Sequence, residues 1–253
     1  MMNNLILCEG FDDAYILGYF LHKTKRWKRT NEEGFHENYK FPKAKRNQGI
    51  EYYKKDDSKS KLAIWSVGGK DSYNEAIKFI ATVNEQHPDF GIANVFIITD
   101  SDDQKPKEHL KHFESILEKN NINIDELKNN ECTTYNYTIE GKDYKLNIVP
   151  IIIPFDAEGA IETILIRAIK EATQEDSFIV DKAKEYVRVI KDSEKVNSYL
   201  QKNRQILKAE FSAIISITNP DCSTTIYNNL LMSHEWEKSE HIKNQFKGLV
   251  KYL

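Results

Sequence analysis

Short unbroken apolar runs alternate with amphipathic stretches through the first 170 residues. Asn4–Glu9 (NLILCE), Leu62–Val67 (LAIWSV) and Ile92–Thr99 (IANVFIIT) lack the polar alternation of a half-exposed strand. They predict strands buried on both faces. Gly10, Gly68-Gly69 and Asp100-Ser101-Asp102-Asp103 stop them in turn. Asp12–His22 has a helical pattern, with Asp12 and Asp13 placed for its first turn. Ser72-Tyr73-Asn74-Glu75 has capping-box spacing ahead of the stripe Ala76, Ile77, Ile80 and Val83, and Lys107–Asn120 is again helical. Thr133–Thr138 and Asp143–Ile148, joined by Glu-Gly-Lys, predict a hairpin. Its second arm runs on through Val149–Ile153 as a fourth core strand, with Pro150 and Pro154 marking the limits of the Ile151–Ile153 run.

Beyond Pro154 the strand signal stops. Ile161, Ile164, Leu165, Ala168 and Ile169 form one helical stripe; Ile179, Ala183, Tyr186, Val187 and Ile190 form a second; Ile242, Phe246, Leu249, Val250 and Leu253 form a third. The first half alternates strand and helix, as a parallel sheet requires, and the second half is helical, so the expected fold class is α/β with a β-hairpin at about 131–148. The expected division is a domain over 1–174, followed by a helical C-terminal region over 175–253.

The 253 residues carry a net charge of −3, with three scattered cysteines. That cysteine pattern gives neither a disulfide framework nor a CxxC metal site. The opening Met1-Met2-Asn3-Asn4 lacks a cationic stretch leading into a long apolar one, and no apolar run approaches membrane-spanning length. A cytoplasmic protein with no membrane partner is expected. Charge is uneven. Residues 22–61 hold 13 Lys and Arg against 6 Asp and Glu, a net of +7 that leaves −10 elsewhere. This basic insertion also holds Trp27, Phe35, Tyr39, Phe41, Tyr52 and Tyr53. Interleaved cations and aromatic rings suit a nucleic-acid surface, DNA or RNA, with Lys25, Arg26, Trp27, Lys28, Arg29, Lys43, Lys45 and Arg46 as candidate contacts. The alternative is a solvated insertion whose lysines maintain solubility. No protein partner is indicated.

Open α/β sheets bind ligands at the C-terminal ends of their strands. Glu9 ends the first strand with Asp13 one turn later, Asp100 and Asp102 end the third, and Glu158 and Glu162 follow the fourth. Two like charges 4 Å apart repel by roughly 4 kcal/mol at an effective dielectric of about 20. A hard divalent cation relieves that repulsion, and oxygen donors without His or Cys suit Mg²⁺ or Mn²⁺. The chemistry implied is metal-assisted phosphoryl transfer. Each acid also suits a plainer role: Glu9 as a cap, the DxD as an acidic turn, Glu162 as the solvated flank of a helix. Gly68-Gly69-Lys70 suits either a phosphate cradle on backbone N–H groups or a strand-to-helix turn that needs glycine. Cys8, inside a strand run, reads as core packing.

Leu5-Ile6-Leu7-Cys8-Glu9-Gly10-Phe11-Asp12-Asp13 resembles the hydrophobic-E-G-x-D-D opening of TOPRIM domains, and Phe96-Ile97-Ile98-Thr99-Asp100-Ser101-Asp102 resembles their strand ending in DxD. TOPRIM is the catalytic module of topoisomerases, bacterial primases, OLD-type nucleases and a ribonuclease that matures ribosomal RNA. Val67–Asp71 and Gly159-Ala160-Ile161-Glu162 look like elements of small stand-alone TOPRIM-like proteins of unknown function. The resemblance covers most of 1–170 and implies a compact, Rossmann-like TOPRIM fold, a mainly parallel four-stranded sheet with helices on both faces, into which the β-hairpin is an insertion. It implies Glu9 as metal ligand or general acid/base, and Asp100 and Asp102 as Mg²⁺ ligands. Asp13 and Glu162 match further acids of OLD-type nucleases. Lys208 stands for the downstream catalytic lysine of those nucleases, on a poor local match. The long basic insertion and the hairpin depart from the family pattern, and no ATPase part, topoisomerase arch or primase zinc module is recognisable. The expected function is therefore a Mg²⁺-dependent nuclease or related phosphoryl-transfer hydrolase acting on DNA or RNA. The alternatives are a non-catalytic nucleic-acid- or nucleotide-binding regulatory protein with a structural metal site, and a phosphatase or nucleotidyl transferase acting on small molecules.

Overall fold

A computed structural model describes residues 3–31, 40–43, 48–56, 60–196, 198–220, 231 and 234–253. Lys45 and Arg46, with Phe35 and Tyr39, lie outside the described residues. The α/β class is observed. Seven strands are described: β1 (Asn3–Cys8), β2 (Lys28–Thr30), β3 (Gly49–Lys54), β4 (Lys61–Ser66), β5 (Ile92–Asp100), β6 (Thr133–Ile139) and β7 (Lys142–Ile153). They form one sheet in the order β2-β3-β4-β1-β5-β7-β6. At its centre β4, β1 and β5 run parallel, while β2, β3 and β4 pair antiparallel, as do β6 and β7. The four expected strands are β1, β4, β5 and β7, and the expected hairpin is β6 with the first part of β7. The strands missed are β2 and β3, both inside the basic insertion. Their polar sequences, KRT and GIEYYK, lack the apolar run by which the central strands are recognised.

Eight helices are described: α1 (Phe11–Lys25), α2 (Tyr73–Gln86), α3 (Pro106–Lys119), α4 (Ile161–Ala172), α5 (Gln174–Lys191), α6 (Asn203–Thr218), α7 (Glu240–Gln245) and α8 (Lys247–Tyr252). The capping box expected at Ser72 does not form. Ser72 closes a 3-10 turn, Lys70–Ser72, in αR geometry, and its side chain makes no capping bond. The single C-terminal helix expected from the last stripe is instead α7 and α8, separated at Phe246. Among the described residues no helix is long and apolar enough to cross a membrane.

The chain divides into two compact units: Met1–Thr99, Lys105–Ile152 and Phe246–Leu253 in the first, and Asp100–Gln104 and Ile153–Gln245 in the second. In the first unit, period-two alternation gives each central strand two apolar faces. Leu5, Leu7, Ala63, Trp65, Val95 and Ile97 pack with α2 and α3 through Ile77, Ile80, Phe113 and Leu117. The opposite face receives α1, for Tyr53 pairs with Leu62 in register and stands against Gly18. A Cβ at Gly18 would lie 2.1 Å from the Tyr53 hydroxyl oxygen, so this helix–sheet approach requires glycine. The described aromatics of the basic insertion are used in packing. Phe41 packs on Trp65 and Phe79 at 5.6 and 5.1 Å on the α2 side, and Tyr53 and Trp27 are buried.

A directional hydrogen-bond chain crosses five strands of the same unit. Thr134 Oγ1 donates to Asn147 Oδ1 (2.8 Å), Asn147 Nδ2 to Asn94 Oδ1 (2.8 Å), Asn94 Nδ2 to Asn4 Oδ1 (2.6 Å), and Asn4 Nδ2 to the Lys61 carbonyl (2.9 Å). Pro150, expected to limit a strand, lies inside β7. Pairing with β6 stops at Thr133–Ile148, so the missing N–H breaks no rung of that ladder, and the Pro150 carbonyl accepts from Asn130 N.

In the second unit α4, α5 and α6 pack on one another through apolar stripes that include Ile164, Leu165, Val180, Ala183, Phe211 and Ile214, all buried. Residues 175–245 thus share their unit with α4 and with the segment that follows β7, whereas Phe246–Leu253 belongs to the first unit.

Asn94→Leu removes one buried and one half-buried bond of the asparagine chain at once. Orphaned buried polar groups cost about 1–3 kcal/mol each, so the expected loss in chemical denaturation is roughly 2–4 kcal/mol with an unchanged m-value.

Candidate functional site

The first unit places Glu9 immediately after β1. The Glu9 carbonyl accepts from Gly68 N (2.9 Å) and Gly69 N (3.0 Å), at φ values of 87° and 113° that favour glycine. These two N–H groups therefore fix the turn after β4 and do not cradle a phosphate. The Glu9 side chain is mostly buried. Its Oε1 accepts from Thr99 Oγ1 at 2.6 Å and lies 3.9 Å from Lys70 Nζ. Asp13 Oδ2 accepts from Gly10 N at 2.8 Å, closing the start of α1. Cys8 is buried in β1, as core packing requires.

The cations expected to hold nucleic acid have protein partners at several positions. Lys28 pairs with Asp56, and Arg29 with Glu51 at 2.8 Å. Tyr53 donates to the other Glu51 oxygen, and burial, then the Glu51 charge, raises its hydroxyl pKa. Trp27, expected to stack on bases, is fully buried with Lys55 Nζ 4.6 Å over its ring, so it offers no face to a base. Arg26 and Lys43 are exposed, and Lys25 is half-buried.

The second unit holds the remaining candidates. The segment Asp100–Gln104 is tied down along its length. Ser101 N donates to the Ile153 carbonyl, and Ser101 Oγ lies 3.1 Å from the Ala157 and Gly159 carbonyls. Asp102, at φ 48°, exchanges two backbone bonds with Gly159 (2.6 and 2.8 Å), itself at φ 141°. Asp100 Oδ1 accepts from Ile161 N at 3.0 Å, so this carboxylate holds the first turn of α4, favourable for an anion. Glu162, on the same turn, meets Lys208 of α6 at 3.6 Å. The expected metal ligand and the expected catalytic lysine thus pair with each other.

Beside this segment lies a cavity of about 770 Å³, lined among others by Asp102, Asp103, Glu158, Lys202, Arg204 and Glu210. Asn203 Nδ2 donates to Asp103 Oδ1 at 3.0 Å. Burial raises the Glu210 carboxyl pKa, opposed in part by the Lys184 ammonium. Lys202, Arg204 and Glu210 were not among the sequence candidates. The run Lys202-Asn203-Arg204 at the start of α6 was the available signal, but no strand end points to it. Among the described residues no three His, Cys, Asp or Glu side chains are gathered closely enough to hold a metal ion. The carboxylates among the lining residues, Asp102, Asp103, Glu158 and Glu210, are hard oxygen donors of the kind that suits a cation completed by water and phosphate.

A family model described as a protein of unknown function, DUF3226, matches residues 3–253. No curated protein matches the chain. Among solved structures, the crystal structure of a hypothetical protein from Pyrococcus horikoshii OT3 is similar over 98% of this chain and 100% of its own, at 14% identity and a TM-score of 0.48.

The raised Glu210 pKa sets a sign for pH dependence. A carboxyl whose folded pKa exceeds its unfolded value stabilises the fold below the unfolded value, and that contribution is lost as pH rises through the folded value. Glu210→Gln is therefore expected to melt higher than the wild type at neutral pH, with the difference shrinking in acid.

Proposed function

The chain belongs to the DUF3226 family, a family of unknown function, and we propose from its own residues that it is a Mg²⁺-dependent phosphoryl-transfer enzyme, a nuclease acting on DNA or RNA. The observation that carries this proposal is the cavity of the second unit, which Asp102 and Glu158 line together with Lys202 and Arg204. Mg²⁺ needs one or two protein carboxylates and completes its shell with waters and substrate phosphate. Asp102 and Glu158 are the residues to hold it, and Asp103 adds negative charge beside them. Bound there, the ion supplies charge neutralisation at the phosphate and an activated water. Lys202 and Arg204 bind and orient the phosphodiester. The Gly159 bridge fixes the backbone of Asp102 and limits the reorganisation its carboxylate needs.

The ligand or acid–base role that the TOPRIM resemblance implies for Glu9 is no part of this cavity, since Glu9 belongs to the first unit. The finer fold assignment, a TOPRIM core made of β4, β1, β5 and β7, is proposed on the motifs Leu5–Asp13 and Phe96–Asp102. Exposed Arg26 and Lys43 are proposed to guide the polyanion, since such cations need only proximity to phosphate. A non-catalytic nucleotide- or nucleic-acid-binding protein is the competing reading. Two observations favour it: the Asp100 carboxylate holds a helix start, and Glu162 and Lys208 are paired.

The test is cleavage of end-labelled single- and double-stranded DNA and RNA in Mg²⁺ or Mn²⁺. The wild type is expected to cut at least one of them. Asp102→Asn should slow cutting by about 100-fold or more while leaving the melting temperature unchanged, and Lys202→Gln/Arg204→Gln should weaken substrate binding. Retained cleavage in Asp102→Asn, or no cleavage of any substrate by the wild type, rejects the proposal.

A further inference from the structure

The first unit contains a second cavity, of about 430 Å³, between α2, the end of α3 and strand β6. Its volume is within the range of small-molecule sites, roughly 300–1,000 Å³. Ile122, Ile139 and Leu146 supply apolar wall, Lys78 and Lys119 supply positive charge, and Tyr137 supplies a phenol. One acid, Glu85, also lines it. Among the described residues neither Lys78 nor Lys119 makes an ion pair, and both are exposed at the cavity's edge.

Tyr137 is the middle of a ladder of three rings. Tyr135, two residues earlier on the same face of β6, stacks on it at 5.5 Å and 13°; Tyr144, its cross-strand partner, stacks at 5.6 Å and 23°. The outer two hydroxyls are engaged: Tyr135 donates to the Asn121 carbonyl and Tyr144 to Asp89 Oδ1, each at 3.0 Å. The Tyr137 hydroxyl makes no hydrogen bond among the described residues. Burial raises its pKa, so it remains a proton donor across the ordinary pH range. With both faces stacked, this ring presents its edge and its hydroxyl on a rigid support.

A fitting ligand has an apolar planar body, a hydrogen-bond acceptor on its edge and a negative tail. An aliphatic acid whose one carboxylate is held by the lysines has no second acceptor for the phenol, and a neutral sugar leaves the apolar wall and both cations unmatched. We infer that this cavity is a nucleotide-binding site, taking the base against Ile122, Ile139, Leu146 and the Tyr137 hydroxyl and the phosphate at Lys78 and Lys119. The nucleotide comes either free or as part of a single strand, and the chemistry recognised is the same. The inference does not depend on the phosphoryl-transfer proposal.

The test is calorimetric titration, in metal-free buffer, with 5′-AMP, 5′-UMP, adenosine, inorganic phosphate and a short oligo(dA). At least one mononucleotide is expected to bind, with adenosine and phosphate alone about tenfold weaker or more. Tyr137→Phe, which keeps the stacked ring, should weaken binding about fivefold. Lys78→Gln/Lys119→Gln should weaken it further and flatten its salt dependence. Tyr137, Lys78 and Lys119 line this cavity and not the one beside Asp102, so weakening in their variants separates this site from the proposed catalytic one. An oligomer bound about tenfold more tightly than the mononucleotide assigns the site to a strand; equal affinity assigns it to free nucleotide. Absence of binding by the mononucleotides and the oligomer, or binding unaltered in both the tyrosine and lysine variants, overturns the inference.

Discussion

The asparagine chain across the sheet of the first unit is the constraint on which the positions of its strand ends depend. A slip of one residue in a strand turns every side chain to the other face. Asn4, Asn94 and Asn147 each sit in a strand whose neighbours are apolar, and each satisfies its partner only in the observed register. Buried amides without such partners are costly, so the chain penalises slippage that the hydrophobic runs alone would tolerate. With β1, β4 and β5 held in this way, Cys8, Ser66 and Thr99 reach the ends of their strands together. The Thr99 hydroxyl then meets Glu9, and Gly68 and Gly69 close on the Glu9 carbonyl.

The acids singled out by their position after strands have structural work as well as candidate chemistry. Asp13 closes the start of α1, Asp100 holds the start of α4, and Glu162 joins α4 to α6 through Lys208. Carboxylates at helix starts are stabilised by the backbone dipoles there, so acids can accumulate after strands without unfolding the chain. Asp102 differs in kind. Its backbone, more than its side chain, is fixed by Gly159, at a φ uncommon for a residue with a Cβ. A backbone held at such an angle beside a cavity lined by both acids and bases is the feature that most favours chemistry over architecture.

The central strands were legible because a short unbroken apolar run bounded by turn residues fits a buried strand and little else. Strands β2 and β3 were not, because β2 has only three residues and neither KRT nor GIEYYK holds an unbroken apolar run. The same blindness to faces hid the packing of the four described aromatics of the basic insertion. Trp27, Phe41, Tyr52 and Tyr53 interleave with lysines in sequence, yet all four are used in packing and two are buried. Charge pairing was equally invisible: Glu51 and Asp56 are few among many cations, but they sit where Arg29 and Lys28 can reach them. At the candidate site, Asp102 and Glu158 were readable from strand ends. Lys202, Arg204 and Glu210 follow a helix pattern about a hundred residues later in the chain, and only folding brings them to the same cavity.

The central claim is that the cavity beside Asp102 takes a divalent cation through oxygen donors. It is tested most directly by crystals soaked in Mn²⁺ and measured for anomalous scattering. A peak within coordination distance of the Asp102 and Glu158 carboxylates, abolished in Asp102→Asn crystals, is the result predicted. A featureless cavity at saturating Mn²⁺, with the Asp102 carboxylate held instead by Lys202 or Arg204, would contradict it.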